Sequence, residues 1–150
     1  MAQDGERRDP YAGFNFSMEI DGVEVAGFKE ISGLTMETQV IEYAEGDGEE
    51  NQKLRMIPGR TKFSEVTCKR GIVEGIELWE WCMTVNDYPR EIERKAITIN
   101  LLDNEGEPQK TYTLFDAWPK KYSTGTLDAT SDDLAMEEVV FVFENLEIEE

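Results

Sequence analysis

Histidine is absent from the 150 residues, and its absence removes several chemistries at once. No Ser-His-Asp triad, no Cys-His pair and no imidazole metal site can be assembled. Only two cysteines occur, Cys68 and Cys82, and they form neither a C-x-x-C nor part of a four-ligand set. They read as two reduced, half-buried thiols. Basic residues are scarce too, with 15 Lys and Arg against 33 Asp and Glu, a formal net charge of −18. Sequence-independent binding of nucleic acid takes most of its affinity from Lys and Arg on phosphates, so this balance argues against it. An acidic surface can still serve nucleic acid by not sticking to it, or reflect a saline habitat. No apolar run approaches the roughly 20 residues of a membrane span, and Met1 to Pro10 (MAQDGERRDP) is polar throughout, unlike a signal peptide. The expectation is a chain that starts in the cytoplasm.

What remains is enough to fold. Hydrophobic residues make up 39% and aromatic residues 10%, which argues against overall disorder, and the length fits a single domain over 1–150 with its own core. Phe14, Phe16, Met18 and Ile20 alternate with polar residues, Asp21-Gly22 supplies a hairpin turn, and Val23 and Val25 begin the return strand. A helix is expected from about Ile72 to Asp87. In it Ile72, Ile76, Trp79 and Met83 recur at helical spacing, Leu78, Cys82 and Val85 widen the apolar face, and Glu74 near the start suits the helix dipole. Trp79 and Trp81 read as packing of this helix on a sheet. Ala96 to Leu102 and Thr111 to Trp118 form a hairpin about the turn Asp103 to Gly106, ended by Pro119. Leu134 to Phe143 is the last strand, too apolar at Val139 to Phe143 for an exposed edge, and the acidic Glu144 to Glu150 follows as a gatekeeper. The fold class is therefore mainly β, a barrel or sandwich with one flanking helix.

One stretch has a charge pattern of its own. Glu37 to Glu50 holds six acids and no base, whereas Asn51 to Arg70 holds six bases and the single acid Glu65. Strand-like runs at Leu34 to Tyr43 and Arg60 to Lys69 are joined by a polar loop around Gly46 to Gly48 that ends at Pro58-Gly59. This reads as a long extended hairpin with an acidic and a basic arm. The arms can pair within one chain, at a few tenths to ~1 kcal/mol per cross-strand ion pair, or an arm of one copy can meet the opposite arm of the next. Leu34, Met36 and Val40 fall on one face, and Thr35, Glu37 and Gln39 on the other. In the second arm Ser64, Val66 and Cys68 alternate with Glu65, Thr67 and Lys69. No phosphate loop, dinucleotide fingerprint or metal cluster is present, and Asp47, Glu49 and Glu50 do not have calcium-loop spacing. Neither enzymatic activity nor a cofactor is expected.

Several strings together resemble the inner tube proteins of contractile phage tails and related injection systems. They are Asp9 to Phe16 (DPYAGFNF), Ile20-Asp21-Gly22, Ala26 to Glu30 (AGFKE), Ile31 to Leu34 (ISGL), Glu42-Tyr43 with Glu45-Gly46, Pro58-Gly59, Val66 to Gly71 (VTCKRG), Leu78 to Trp81 (LWEW), Leu101 to Asp103 (LLD) and Ala117 to Tyr122 (AWPKKY). Cys68 stands where an aliphatic residue is expected, and Phe143 to Leu146 lacks a glycine before the leucine. The resemblance implies protomers that form hexameric rings, stacked helically into a hollow tube inside a contractile sheath. Such a tube is a conduit for DNA or effector cargo, which passes without tight binding, and a membrane-puncturing rod. Its partners would be further copies of itself, a sheath protein, baseplate and spike proteins and tube-capping proteins. In that setting Thr35, Glu37, Gln39, Glu65, Thr67 and Lys69 are expected to line the lumen. Glu42, Glu45 and Asp47, with Lys53, Arg55, Arg60, Lys62 and Arg70, are expected between subunits. The alternatives are a monomeric β-barrel that binds a ligand, and a non-polymerising tube adaptor or terminator.

Overall fold

The computed structural model describes residues 16–25, 28–46, 53–72, 75–86, 92–130 and 134–150. Among them are ten strands and one helix. The strands are β1 (Phe16–Ile20), β2 (Val23–Val25), β3 (Phe28–Ser32), β4 (Met36–Glu45), β5 (Lys53–Phe63), β6 (Val66–Gly71), β7 (Lys95–Leu102), β8 (Pro108–Thr124), β9 (Met136–Val142) and β10 (Asn145–Glu149), and the helix is α1 (Glu77–Val85). Asp21 (φ +51°) and Gly22 (φ +80°) both take the left-handed conformation that a tight hairpin needs, so the first expected turn is present.

β8 organises the rest. Its first half lies between β7 and β10, in a sheet ordered β2-β1-β7-β8-β10, and its second half starts another, ordered β8-β9-β6-β3. The strand changes partners at Asp116, whose φ of +54° is a conformation Asp tolerates better than most residues. Expected to end at Pro119, β8 instead runs through it to Thr124. A register shift between Pro119 and Lys121 places the proline where the ladder is already interrupted. The tail likewise differs from expectation, because Asn145 to Glu149 pairs with Thr111 to Phe115 as β10. β9 lies between β8 and β6, so the apolar Val139 to Phe143 is covered, as its composition demands.

Between the two sheets Met18, Val66, Ile97, Leu114, Val139 and Phe141 are almost wholly buried. α1 presses Leu78 and Trp81 into this core, with Trp81 5.3 Å from the Phe141 ring and its Nε1 donating to the carbonyl of Glu93 at 2.7 Å. The helix is shorter than expected and turned. Ile72, Ile76, Trp79 and Met83, expected to face the core, are exposed, while Cys82 and Val85 are half-buried. Both stripes are apolar, and the indole of Trp81, with a hydrogen-bond acceptor and an aromatic partner inside, decides which one turns inward. Glu74 and Asp87 lie outside the described residues, and Glu77 and Glu80 hold the acidic first turn.

One charged group is also inside. Arg70, expected at the subunit interface, is only 6% exposed: its Nε donates to Glu137, itself 5% exposed, and its guanidinium lies 5.4 Å from the Phe28 ring centroid. It shares the core face of β6 with Val66 and Cys68, which removes it from the surface. Tyr122 donates to the other carboxylate oxygen of Glu137. A buried ion pair is tolerable only when further hydrogen bonds compensate the lost hydration, and here Tyr122 supplies one.

The hydrogen bond to Glu137, aided by burial, pushes the Tyr122 hydroxyl up from 10.0 to about 12. Burial pushes the Cys68 thiol up from 9.0 to about 12. Both groups are neutral when protonated, so folding keeps the full benefit below the unfolded pKa values and loses it as pH rises from 9 or 10 towards 12. Tyr122→Phe is expected to cost about 1.5–3 kcal/mol near neutral pH, the range for a hydrogen bond to a charged group. It should also shrink the alkaline loss of stability without abolishing it, because Cys68 remains. Denaturant titrations at neutral and alkaline pH measure both effects, and an undiminished alkaline loss would place the titration elsewhere.

Candidate assembly interface

β4 and β5 form a two-stranded antiparallel ribbon that pairs with no other described strand. The second arm begins earlier than the sequence suggested. Pro58-Gly59, expected in the loop, lies within β5 near a register shift opposite Thr38 to Val40, while Ser64 and Glu65 interrupt the expected Arg60 to Lys69 strand. A proline is compatible with a strand that has a free edge or a bulge, and here both are present.

The root of the ribbon is fixed. The Ser64 amide donates to the Thr35 carbonyl at 3.0 Å, Lys120 Nζ donates to Glu65 at 2.8 Å, and the Phe63 ring lies 5.8 Å from that of Phe143. Gly33 turns the chain from β3 into β4 with φ +97°, and a Cβ there would collide with the backbone carbonyl of Glu65. Only glycine serves both the conformation and the close approach.

Beyond the root, apolar side chains cover both faces. The Thr38 and Thr61 hydroxyls hydrogen-bond at 3.0 Å and mark one face. By register that face carries Met36, Val40, Leu54 and Met56, which are 61–67% exposed. On the other, Ile41 stands opposite Ile57 and Tyr43 opposite Arg55. Charge is distributed unevenly around them. Arg55 meets Glu45 at 2.9 Å, Glu37 stands across from Lys62, and Lys53 from Glu45, whereas Glu42 faces Met56. Both partners of the Arg55–Glu45 pair are 56% exposed, so this bond contributes no more than about 1 kcal/mol. Arg60 is exposed beside the register shift, and Asp47 lies outside the described residues.

The residues expected along a lumen fall into two places. Thr35, Glu37 and Gln39 lie on the ribbon or its root, and Glu65 on the link below it. Thr67 and Lys69 stand on β6, on the face turned away from the core. There Lys69 reaches Glu30 of β3 at 3.9 Å and lies opposite Glu138 of β9, while Thr67 lies opposite Ser32. Sequence reasoning missed Glu30 and Glu138 because nothing local indicates that β3 and β9 flank β6. It also weighed the charges of the hairpin above its apolar content, although the run Leu54 to Pro58 (LRMIP) carries that signal plainly.

Among the described residues a cluster of buried side chains packs the interior of the sandwich, and a recess of about 260 Å³ opens at its edge beside Phe16, Ile31, Leu34 and Ile99. A second, apolar recess of about 530 Å³ lies between α1 and the β1–β2 turn, lined in part by Val23, Val25, Leu78 and Trp81.

Solved structures share this architecture. The chain is similar to one from the sheath–tube complex of the PVC extracellular contractile injection system in its extended state, at TM-score 0.80 and 25% identity over 93% of this chain and 91% of that one. A chain of the same system's sheath/tube terminator matches at TM-score 0.83 and 25% identity, covering 95% and 99%. The tube-terminating cap of the anti-feeding prophage shares the fold at TM-score 0.83 and 23% identity, covering 99% of both chains. No curated protein matches the sequence significantly. A strand-rich sandwich with one helix and a projecting hairpin is thus the fold of contractile-tail tube proteins. The chain belongs to the T4-like virus tail tube protein gp19 family, whose profile matches residues 12–147.

Gly33 and Gly22 both have positive φ, but a Cβ on Gly22 would meet nothing within 4 Å. Gly22→Ala should therefore cost only the conformational penalty, of order 1–3 kcal/mol. Gly33→Ala is expected to cost clearly more, because the Glu65 carbonyl must also move. Denaturation midpoints of the two variants, compared side by side, test this.

Proposed function

We propose that this chain is a structural tube subunit that forms hexameric rings, and that these rings stack helically into a hollow tube within a contractile sheath. The observation that carries the reading is the ribbon of β4 and β5, whose two apolar faces are open in the single protomer. An isolated two-stranded hairpin is marginal in water, and one with Met, Val and Leu exposed on one face and Ile and Tyr on the other gains from a cover on both. Neighbouring copies supply it. The exposed edge strands, β3 of one sheet and β2 and β10 of the other, are free to continue pairing between subunits, as closure of a barrel requires.

The channel wall in this reading is the outward face of the sheet that contains β6, including Thr67 and Lys69 with Glu30 and Glu138. Glu37 and Gln39 belong to subunit contacts rather than the wall, with Glu42, Glu45, Lys53, Arg55, Arg60 and Lys62. On that wall the Lys69 ammonium is flanked by the carboxylates of Glu30 and Glu138, and Lys121 on the same face adds one further base, so these charges balance and DNA or protein cargo can slide through. The sheath covers the outside, baseplate and spike proteins close one end and capping proteins the other, and assembly takes place in the cytoplasm before the particle is deployed. No catalytic step enters this role.

A tube terminator is the second reading, favoured by the equally good fit to terminator and cap chains. The two readings separate on polymerisation. Purified protein examined by negative-stain microscopy and sedimentation across a salt series should form rings or tubes with a central hole, increasingly as salt screens the net charge of −18. A strict monomer or a single ring at every salt concentration would favour the terminator.

Val40→Asp combined with Met56→Asp should leave the protomer folded, within about 0.5 kcal/mol per exposed site, and abolish pelletable assemblies. Tubes of normal yield from this variant would exclude the ribbon from the subunit contact.

A further inference from the structure

A second apolar surface is exposed on the protomer, at α1. Ile76, Trp79 and Met83 are 61%, 47% and 45% exposed, and they lie along one side of α1. Tyr122 covers a single edge of the Trp79 indole at 5.6 Å. α1 carries Glu77 and Glu80 and no base, whereas β5 carries four bases and no acid. The ribbon face with Ile41 and Ile57 at its centre also bears Lys53, Arg55 and Lys62, three bases against the two acids Glu45 and Glu37 that stand across from Lys53 and Lys62. Each surface is therefore an apolar strip with charge beside it, acids alone on α1 and an excess of one base on the ribbon face.

We infer that the Ile41/Ile57 face of one copy's ribbon docks on the Ile76/Trp79/Met83 side of α1 in the next copy, with Lys53 and Lys62 meeting Glu77 and Glu80. This contact rests on the reading of the chain as a self-assembling tube subunit and names where the ribbon binds. Burial of Trp79 supplies the type of aromatic anchor that dominates interface energetics. Opposite charges fix register and direction more than they add affinity. The two surfaces differ, so the contact is head-to-tail, and head-to-tail contacts propagate into rings or open helical stacks instead of closing as a dimer. It also brings together opposite charges in a protein whose copies otherwise repel.

Reciprocal charge reversal in the full chain tests the pairing. Lys53→Glu with Lys62→Glu, and separately Glu77→Lys with Glu80→Lys, are each expected to reduce pelletable tube about tenfold or more at low salt, since like charges in contact are strongly unfavourable. The fourfold variant should recover most of the loss. Denaturation midpoints confirm that every variant is folded. As an independent readout, assembly of the wild type should shift tryptophan emission to the blue, and the shift should be missing from tubes of Trp79→Phe. Failure of the fourfold variant to recover, or an emission shift that persists without Trp79, overturns the contact. Normal tubes from Glu77→Lys/Glu80→Lys also overturn it, and loss of sheath binding by those tubes would assign the strip to the sheath. Should the wild type never assemble, the self-assembly reading itself falls, and this is visible before any variant is made.

Discussion

A β-ribbon that is apolar on both faces sets the terms for everything else in this protein. Hydrogen bonds across two strands satisfy only the inward half of each backbone, and the side chains gain little from each other when both faces are wet. The ribbon can persist only if its root is held or its faces are covered. This protomer holds the root through Gly33, Phe63 and the Lys120–Glu65 pair, and leaves the faces for another molecule. The core, by contrast, is complete: its side chains fill the sandwich, and the charged pair of Arg70 and Glu137 is provided with Tyr122.

Charge then decides how such a subunit can associate. A net −18 on every copy opposes indiscriminate clustering, because most contacts bring acids together, and under the proposed assembly β5 is a place where an acidic surface is not repelled. The few bases are concentrated accordingly, with four of the fifteen Lys and Arg on β5.

The fold was legible in the sequence wherever one local rule dominated. Asp-Gly at 21–22 encodes its turn, Val139 to Phe143 could only be covered, and the alternation of β1 follows its burial. What escaped depended on partners distant in the chain. Pro119 read as a terminator because β9, whose register shift accommodates it, is remote in sequence, and Pro58-Gly59 read as a loop for the same reason. α1 offered two apolar stripes, and only Glu93 and Phe141, which receive Trp81, decided between them. Arg70 looked like its basic neighbours in the arm, yet strand alternation turned it inward to Glu137. The hairpin was found because charge segregation marked it, but its exposed apolar faces were the stronger feature.

The continuity of the ribbon with the body of the protein has a mechanical meaning. β4 follows directly from β3 and β5 leads directly into β6, and these two strands pair with each other. A load on the ribbon therefore pulls β3 and β6 from the same end, and it passes to the rest of the subunit through the ladder between β6 and β9. Pulled along the strands, the hydrogen bonds of that ladder are strained together in shear rather than one at a time from an end, the arrangement in which a sheet best resists rupture. The Phe63–Phe143 contact and the close approach of Gly33 to Glu65 hold the root against the sandwich. The projection is a tie-rod anchored in the body of the subunit.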